Sequence, residues 1–152
     1  MQKKYEFTGE TTTDIAEGAT LHRIRALRNF GDVKAGDLGG WVESERNLSH
    51  GGNCWVYDDS AVFGRASVLG YASIRNGSMV YDDALVDGGA VIDNSEVFGN
   101  AQVSGLAQVA EGSLVYQRAL IAGNTKLLNA KIGAHVEVFE GVIKGCEILK
   151  RR

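Results

Sequence analysis

From residue 54 onward a small residue is followed two places later by an aliphatic one, and the pair returns every six residues. The register runs from Cys54/Val56 through Ser60/Val62, Ala66/Val68, Ala72/Ile74, Ser78/Val80 and Ala84/Val86 to Ala90/Ile92. After one dropped residue it resumes at Ser95/Val97 and holds to Thr125/Leu127. It slips again to Ala130/Ile132 and Val136/Val138, and ends loosely at Gly141/Ile143 and Cys146/Ile148, 17 units in all. Residues two apart point the same way only in an extended strand. Each unit is therefore a short strand with its small and aliphatic side chains turned inward. The pairs between strands (Gly64-Arg65, Gly70-Tyr71, Asn76-Gly77, Gly88-Gly89, Glu111-Gly112) suit sharp bends with φ > 0. Three strands and three bends make a triangular coil of 18 residues, and coils stacked about 4.8 Å apart give a prism roughly 25–30 Å long. No single coil buries its own aliphatics, so the stack is one structural unit. The pattern predicts an all-β parallel β-helix over residues 51–152.

The slips carry their own information. With strands numbered one to three from Cys54, Asn94, Asn129 and Gly145 each stand alone at the corner between strands one and two. Asn and Gly tolerate φ > 0 most readily. A further shortening near Glu140 falls on another corner. Composition agrees with a chain built on tight turns, with 20 glycines and no proline.

Residues 1–50 lack the hexapeptide and read as an N-terminal β cap with a lead-in segment. Residues 5–8 form a strand, 9–18 a polar loop and 21–30 a second strand, a hairpin that closes the open end of the prism. Val42 and Leu48 fit a first, irregular turn.

Outward residues distinguish the faces. On the second strand of successive coils Phe63, Tyr81, Phe98 and Tyr116 recur at spacings of 18, 17 and 18, with Met79 and Leu114 beside them. An exposed ladder of this kind marks an interaction surface. It is expected to form a homo-oligomer interface, a two-fold dimer being one geometry.

Candidate chemistry is sparse. A formal charge of -3 and a pI near 5.6 argue against a nucleic-acid binder. No apolar stretch is long enough to cross a bilayer, and no secretory signal is visible. Two cysteines in such a chain suggest reduced thiols in a cytoplasm. Cys54 and Cys146 occupy inward positions five coils apart, too far to bridge, and both are expected in the core. The three histidines, His22, His50 and His135, are too far apart for a metal site, and none has a carboxylate nearby in sequence to orient it. His50, in a glycine-flanked loop at the head of the helix, is the weak candidate for a general base. Arg23 and Arg25 share one face of the cap and suit a small anionic ligand. Asp58-Asp59 and Asp82-Asp83 sit at different corners as solvated turns.

Units such as Val62-Phe63-Gly64-Arg65-Ala66-Ser67 and Val68-Leu69-Gly70-Tyr71-Ala72-Ser73 resemble the hexapeptide repeat of left-handed β-helix proteins, and the handedness comes with that resemblance. The run Leu21-His22-Arg23-Ile24-Arg25-Ala26-Leu27-Arg28, then Gly36-Asp37-Leu38-Gly39-Gly40-Trp41-Val42-Glu43 and Asn47-Leu48-Ser49, resembles the opening of a family of uncharacterised bacterial and phage β-helix proteins. The enterobacterial YdcK-type proteins belong to the same broad group. The resemblance implies trimers, and acyltransferase chemistry in which a His acts as base on CoA lying between subunits. On that basis His50 would act on acetyl-CoA in a cleft lined by Trp55, Tyr57 and Arg75. The long inter-coil insertion and proline-containing closing segment of those enzymes are absent. The first expectation is thus a non-enzymatic, cofactor-free binding or assembly module, of phage or bacterial origin, acting on a host ligand or protein; the second is a CoA-dependent acyltransferase.

Overall fold

Strands 18 or 17 residues apart pair in parallel, so the aliphatics of the repeat stack in register: Val62 on Val80, Val80 on Val97, Val97 on Val115. The computed structural model describes residues 3–14 and 18–148. Three sheets wrap one core in a left-handed parallel β-helix. Face one runs through Ala61–Val62, Met79–Val80, Glu96–Val97, Leu114–Val115, Lys131–Ile132 and Glu147–Ile148. Face two holds Ser67–Val68, Leu85–Val86, Gln102–Val103, Leu120–Ile121 and Glu137–Val138. Face three holds Trp55–Val56, Ser73–Arg75, Val91–Asp93, Gln108–Ala110, Lys126–Leu128 and Val142–Lys144. The inward aliphatics from Val56 to Ile132 are fully buried, each worth about 1.5–3 kcal/mol.

The small inward residues differ by corner for a physical reason. Between faces one and two, and between faces two and three, they are mostly Ala. Between faces three and one they are Ser60, Ser78, Ser95 and Ser113, all buried. Each hydroxyl accepts the backbone N–H of the next coil, from Ser78, Ser95, Ser113 and Ala130 at 3.0–3.1 Å. Three also donate to carbonyls of their own coil, at Arg75, Asp93 and Ala110. This is the corner that shortens, and Asn94, Asn129 and Gly145 there have φ of 49°, 53° and 63°. The shortening near Glu140 arises because Gly141, at φ +96°, fills the slot held by Thr125 in the coil above and accepts the N–H of Lys126.

The cap continues face one. Strand β1 (Tyr5–Thr13) pairs antiparallel with β2 (Thr20–Ala26), and β2 with β3 (Leu38–Val42), which lies parallel on Ala61–Val62. The first part of the expected polar loop, residues 9–13, is strand, and residues 15–17 of it lie outside the described residues. A register shift between Phe7 and Thr11, with Gly9 at φ +97°, absorbs the irregularity and lets the threonines pair on. The second strand stops at Ala26, short of residue 30, because the chain turns back through a Phe30–Val33 bridge. Gly39 and Gly40 are needed for close approach: a Cβ at Gly40 would lie 2.3 Å from the Ser60 carbonyl, and one at Gly39 2.6 Å from the Trp55 ring. Val42 and Leu48 do form the first turn, Val42 stacked on Val62 and Leu48 bridged to Val68. Among the described residues, no helix is long and apolar enough to cross a membrane.

Candidate functional site

The head of the prism gathers most of the titratable side chains singled out in the sequence. His50 does have a carboxylate partner, contrary to expectation: its Nε2 donates to Glu45 at 2.9 Å. Its Nδ1 accepts the backbone N–H of Lys4 at 3.0 Å, which puts the ring proton on Nε2, and the ring stacks on Tyr5 at 4.2 Å. Both nitrogens are thus used to strap the N-terminal strand to the first turn. A general base needs a free lone pair, and this ring frees one only by releasing Lys4. The His50 and Lys3 hydrogen bonds, in that order, hold the Glu45 carboxyl below its usual range.

Lys4 itself is fully buried and plugs the open end of the coil. Its ammonium donates to the Cys54 carbonyl at 2.6 Å and to Gly51 and Gly52 at 3.3 Å, beside the Cys54 sulfur and over the Phe30 ring. Burial lowers the Lys4 pKa and raises that of the Cys54 thiol, each offset in part by the other. Cys54 is core as expected, but Cys146 is exposed, because it lies in the last described turn with no described residue stacked beneath it.

The acyl-carrier cleft expected around Trp55, Tyr57 and Arg75 is only partly at the surface. Trp55 is buried against Phe30 and Tyr5, so it lines no cleft. Tyr57 is half-buried, donates to Asp32 at 2.7 Å, and its pKa is pushed up to about 12, chiefly by burial and then by Asp32. The Arg75 guanidinium lies over its ring at 4.5 Å. Arg23 and Arg25 do not converge on a ligand, because the β2–β3 register shift falls between them. Arg23 donates to Gly39 O and lies near Asp59 and over Trp41, whereas Arg25 pairs with Glu6 at 2.6 Å. Among the described residues no group of three His, Cys, Asp or Glu side chains is placed to hold a metal ion.

The aromatic ladder is present as a continuous stack, with Phe63–Tyr81, Tyr81–Phe98 and Phe98–Tyr116 centroids 5.0, 5.1 and 5.4 Å apart and nearly parallel. Phe63, expected at an exposed interface, is fully buried because Leu21 of the hairpin folds over it. Tyr81, Phe98, Tyr116, Met79 and Leu114 are half-buried. The rings cover one another's faces and turn mainly edges outward, and Tyr81 donates to Glu96 at 3.0 Å.

Over 64 residues the chain is 41% identical to the uncharacterized acetyltransferase YdcK of Escherichia coli (strain K12), covering 41% of this chain and 20% of that protein. The chain thus spans about a fifth of the length of the curated relative it matches. No family model matches it. With the stacked six-residue coils, that similarity fits a hexapeptide-repeat fold. The chain is a hexapeptide-repeat β-helix.

Where this hexapeptide-repeat β-helix leaves apolar side chains in water, they are not on the ladder. Leu69, Tyr71, Leu106, Phe139 and Val142, between 39% and 65% exposed, lie along the edge between faces two and three. A depression of about 510 Å³ adjoins that edge beside Leu106, Gln108, Lys126 and Val142. Sequence reasoning passed over this edge because Tyr71 and Leu106 occupy bend positions among glycines. The signal was their apolar character where the other corners carry Arg, Asp, Asn or Glu.

Proposed function

We propose that this hexapeptide-repeat β-helix is a non-enzymatic assembly and binding module that works as a homo-oligomer. The observation that carries this reading is the row of exposed apolar side chains along one edge of the prism, since a cluster of exposed apolar side chains marks an interaction site. The engagement of both His50 nitrogens in holding the cap supports a structural role for that residue. An oligomer of such prisms would present clefts between subunits to a host protein or a small anionic ligand.

The second reading is a CoA-dependent acyltransferase, favoured by the word acetyltransferase in the relative's name. Under it, His50 is the base and acetyl-CoA lies near Tyr57 and Arg75. Thermal melting of the intact chain with and without millimolar acetyl-CoA separates the two. The assembly reading expects an unchanged Tm, and a lowered Tm for His50→Ala from loss of the strap. A higher Tm with acetyl-CoA, together with turnover that His50→Ala abolishes in a folded protein, would establish the second reading instead.

A further inference from the structure

The plug at the head of the prism is held by a contact that only one protonation state of a histidine can make. The Lys4 backbone N–H donates to His50 Nδ1 at 3.0 Å, and His50 Nε2 donates to Glu45 at 2.9 Å. A neutral imidazole has one donor and one acceptor nitrogen, as this arrangement needs, whereas both nitrogens of an imidazolium are donors. A charged ring therefore sets an N–H against the Lys4 N–H, and turning the ring over brings no acceptor back. The ring is partly open to solvent, its side chain 18% exposed, so protons reach it without unfolding.

We propose that His50 is a proton-operated latch: protonation at Nδ1 releases Lys4 from the end of the prism and opens the buried Cys54 thiol to solvent. The neutral ring is the latching form, so the contact is present at high pH and is lost as pH falls and the ring takes up a proton. Glu45, on the 3-10 turn, favours the charged ring and stays ionised at mildly acidic pH, because its bonds to His50 and then to Lys3 hold its carboxyl low. It therefore keeps the imidazolium in place, and the contact that fails is the one to Lys4. The ammonium groups of Lys3 and Lys4 and the Arg28 guanidinium, which donates to the His50 carbonyl at 2.9 Å, act against the charged ring. Tyr5 lies against the ring face with its phenol kept protonated by burial and donating to Leu48 O at 2.7 Å. That bond, and the one from Leu27 N–H to the Lys4 carbonyl at 2.8 Å, hold the strand beyond, so the opening is local. Once Lys4 swings out, the carbonyls of residues 51, 52 and 54 exchange its ammonium for water. The Cys54 sulfur, 3.3 Å from that ammonium in the closed form, loses its cover.

Thiol labelling by a dithiodipyridine, which reacts in acid as well as in base, reads the latch. The chain carries Cys146→Ser, which leaves Cys54 as its one thiol. Lowering the pH from about 8 to about 5 should speed labelling about tenfold or more, with the circular dichroism spectrum unchanged. The thiolate fraction falls over the same range, so chemistry alone would slow the reaction. In His50→Gln the amide oxygen can accept the Lys4 N–H and takes up no proton, so labelling should not accelerate. Should that variant not fold, NMR of the unsubstituted chain replaces it: the Lys4 amide proton should exchange faster with the same pH midpoint as the His50 ring shifts. Labelling that slows with falling pH, an equal acceleration in folded His50→Gln, or a Lys4 amide indifferent to the ring's titration would each overturn the proposal.

Discussion

Asn47→Ala is expected to cost this fold about 3 kcal/mol, although residue 47 lies outside the repeat. Asn47 is fully buried in the first turn, where the chain has not yet settled into hexapeptide coils. Its Oδ1 accepts the N–H groups of Ser44 at 2.8 Å and Glu43 at 3.1 Å, and its Nδ2 donates to the carbonyls of Ala66 at 2.9 Å and Gly64 at 3.2 Å. One side chain thus supplies, to the coil below, the pairing that a strand supplies elsewhere. Glu43 N–H has a second acceptor in Val62 O, and Gly64 O a second donor in Arg46. Truncation therefore strands mainly Ser44 N–H and Ala66 O, at about 1–3 kcal/mol each. Such a loss is a large part of the 5–15 kcal/mol that holds a domain together and shifts Tm down by about 6–12 °C. Asn47→Asp should cost at least as much at neutral pH, since it turns a carboxylate onto two carbonyl oxygens. Urea unfolding followed by circular dichroism measures both, with the midpoint falling and the slope unchanged. A loss below 1 kcal/mol for Asn47→Ala, or an Asn47→Asp variant as stable as wild type, would refute the reasoning.

Other substitutions probe other layers. Ala134 sits at φ +54°, a conformation that costs an L-residue about 1–2 kcal/mol, so Ala134→Gly should raise Tm by a few degrees in a calorimetric scan. Ser95→Ala removes the acceptor for the buried Ser113 N–H and should lower urea-unfolding stability by about 1–3 kcal/mol, whereas Ser67→Ala, on an outward position, should leave it nearly unchanged. The depressed Glu45 pKa means that its contribution is complete above the ordinary value of 4.5 and is lost as pH falls through the lower folded value. Stability measured from pH 6 to pH 3 should therefore fall less steeply in Glu45→Gln than in wild type.

The coils and the cap were legible in the sequence to different degrees. Small and aliphatic residues at fixed spacing specify a strand, its inward face and the triangular coil without further information, and Asn94 and Asn129 announce their shortened corners. The ladder was legible as a column because register alone fixes which side chains lie above one another. What covers a column is not periodic information. Phe63 and Trp55 point outward from the helix as the pattern requires, yet both are buried, because β2 and the loop around Phe30 fold over them. Nothing in the six-residue period marks Lys4 for burial. Its burial follows from the unpaired carbonyls of residues 51, 52 and 54 at the end of the coil, which need a donor. The His50–Glu45 contact depends on the short 3-10 turn at Glu45–Asn47, which no hydrophobic period signals. The serine column at residues 60, 78, 95 and 113 was present in the spacing, and only its hydrogen bonds show why that corner differs.

The exposed edge carrying Tyr71, Leu106 and Phe139 is where the proposed assembly would form. Native mass spectrometry of the freshly purified chain tests that account most directly, because it reports subunit number and any retained ligand together. The account predicts an integer multiple of the 16.3 kDa subunit, with no bound CoA. A single species at 16.3 kDa over the whole concentration range, or a subunit mass increased by CoA, would contradict it.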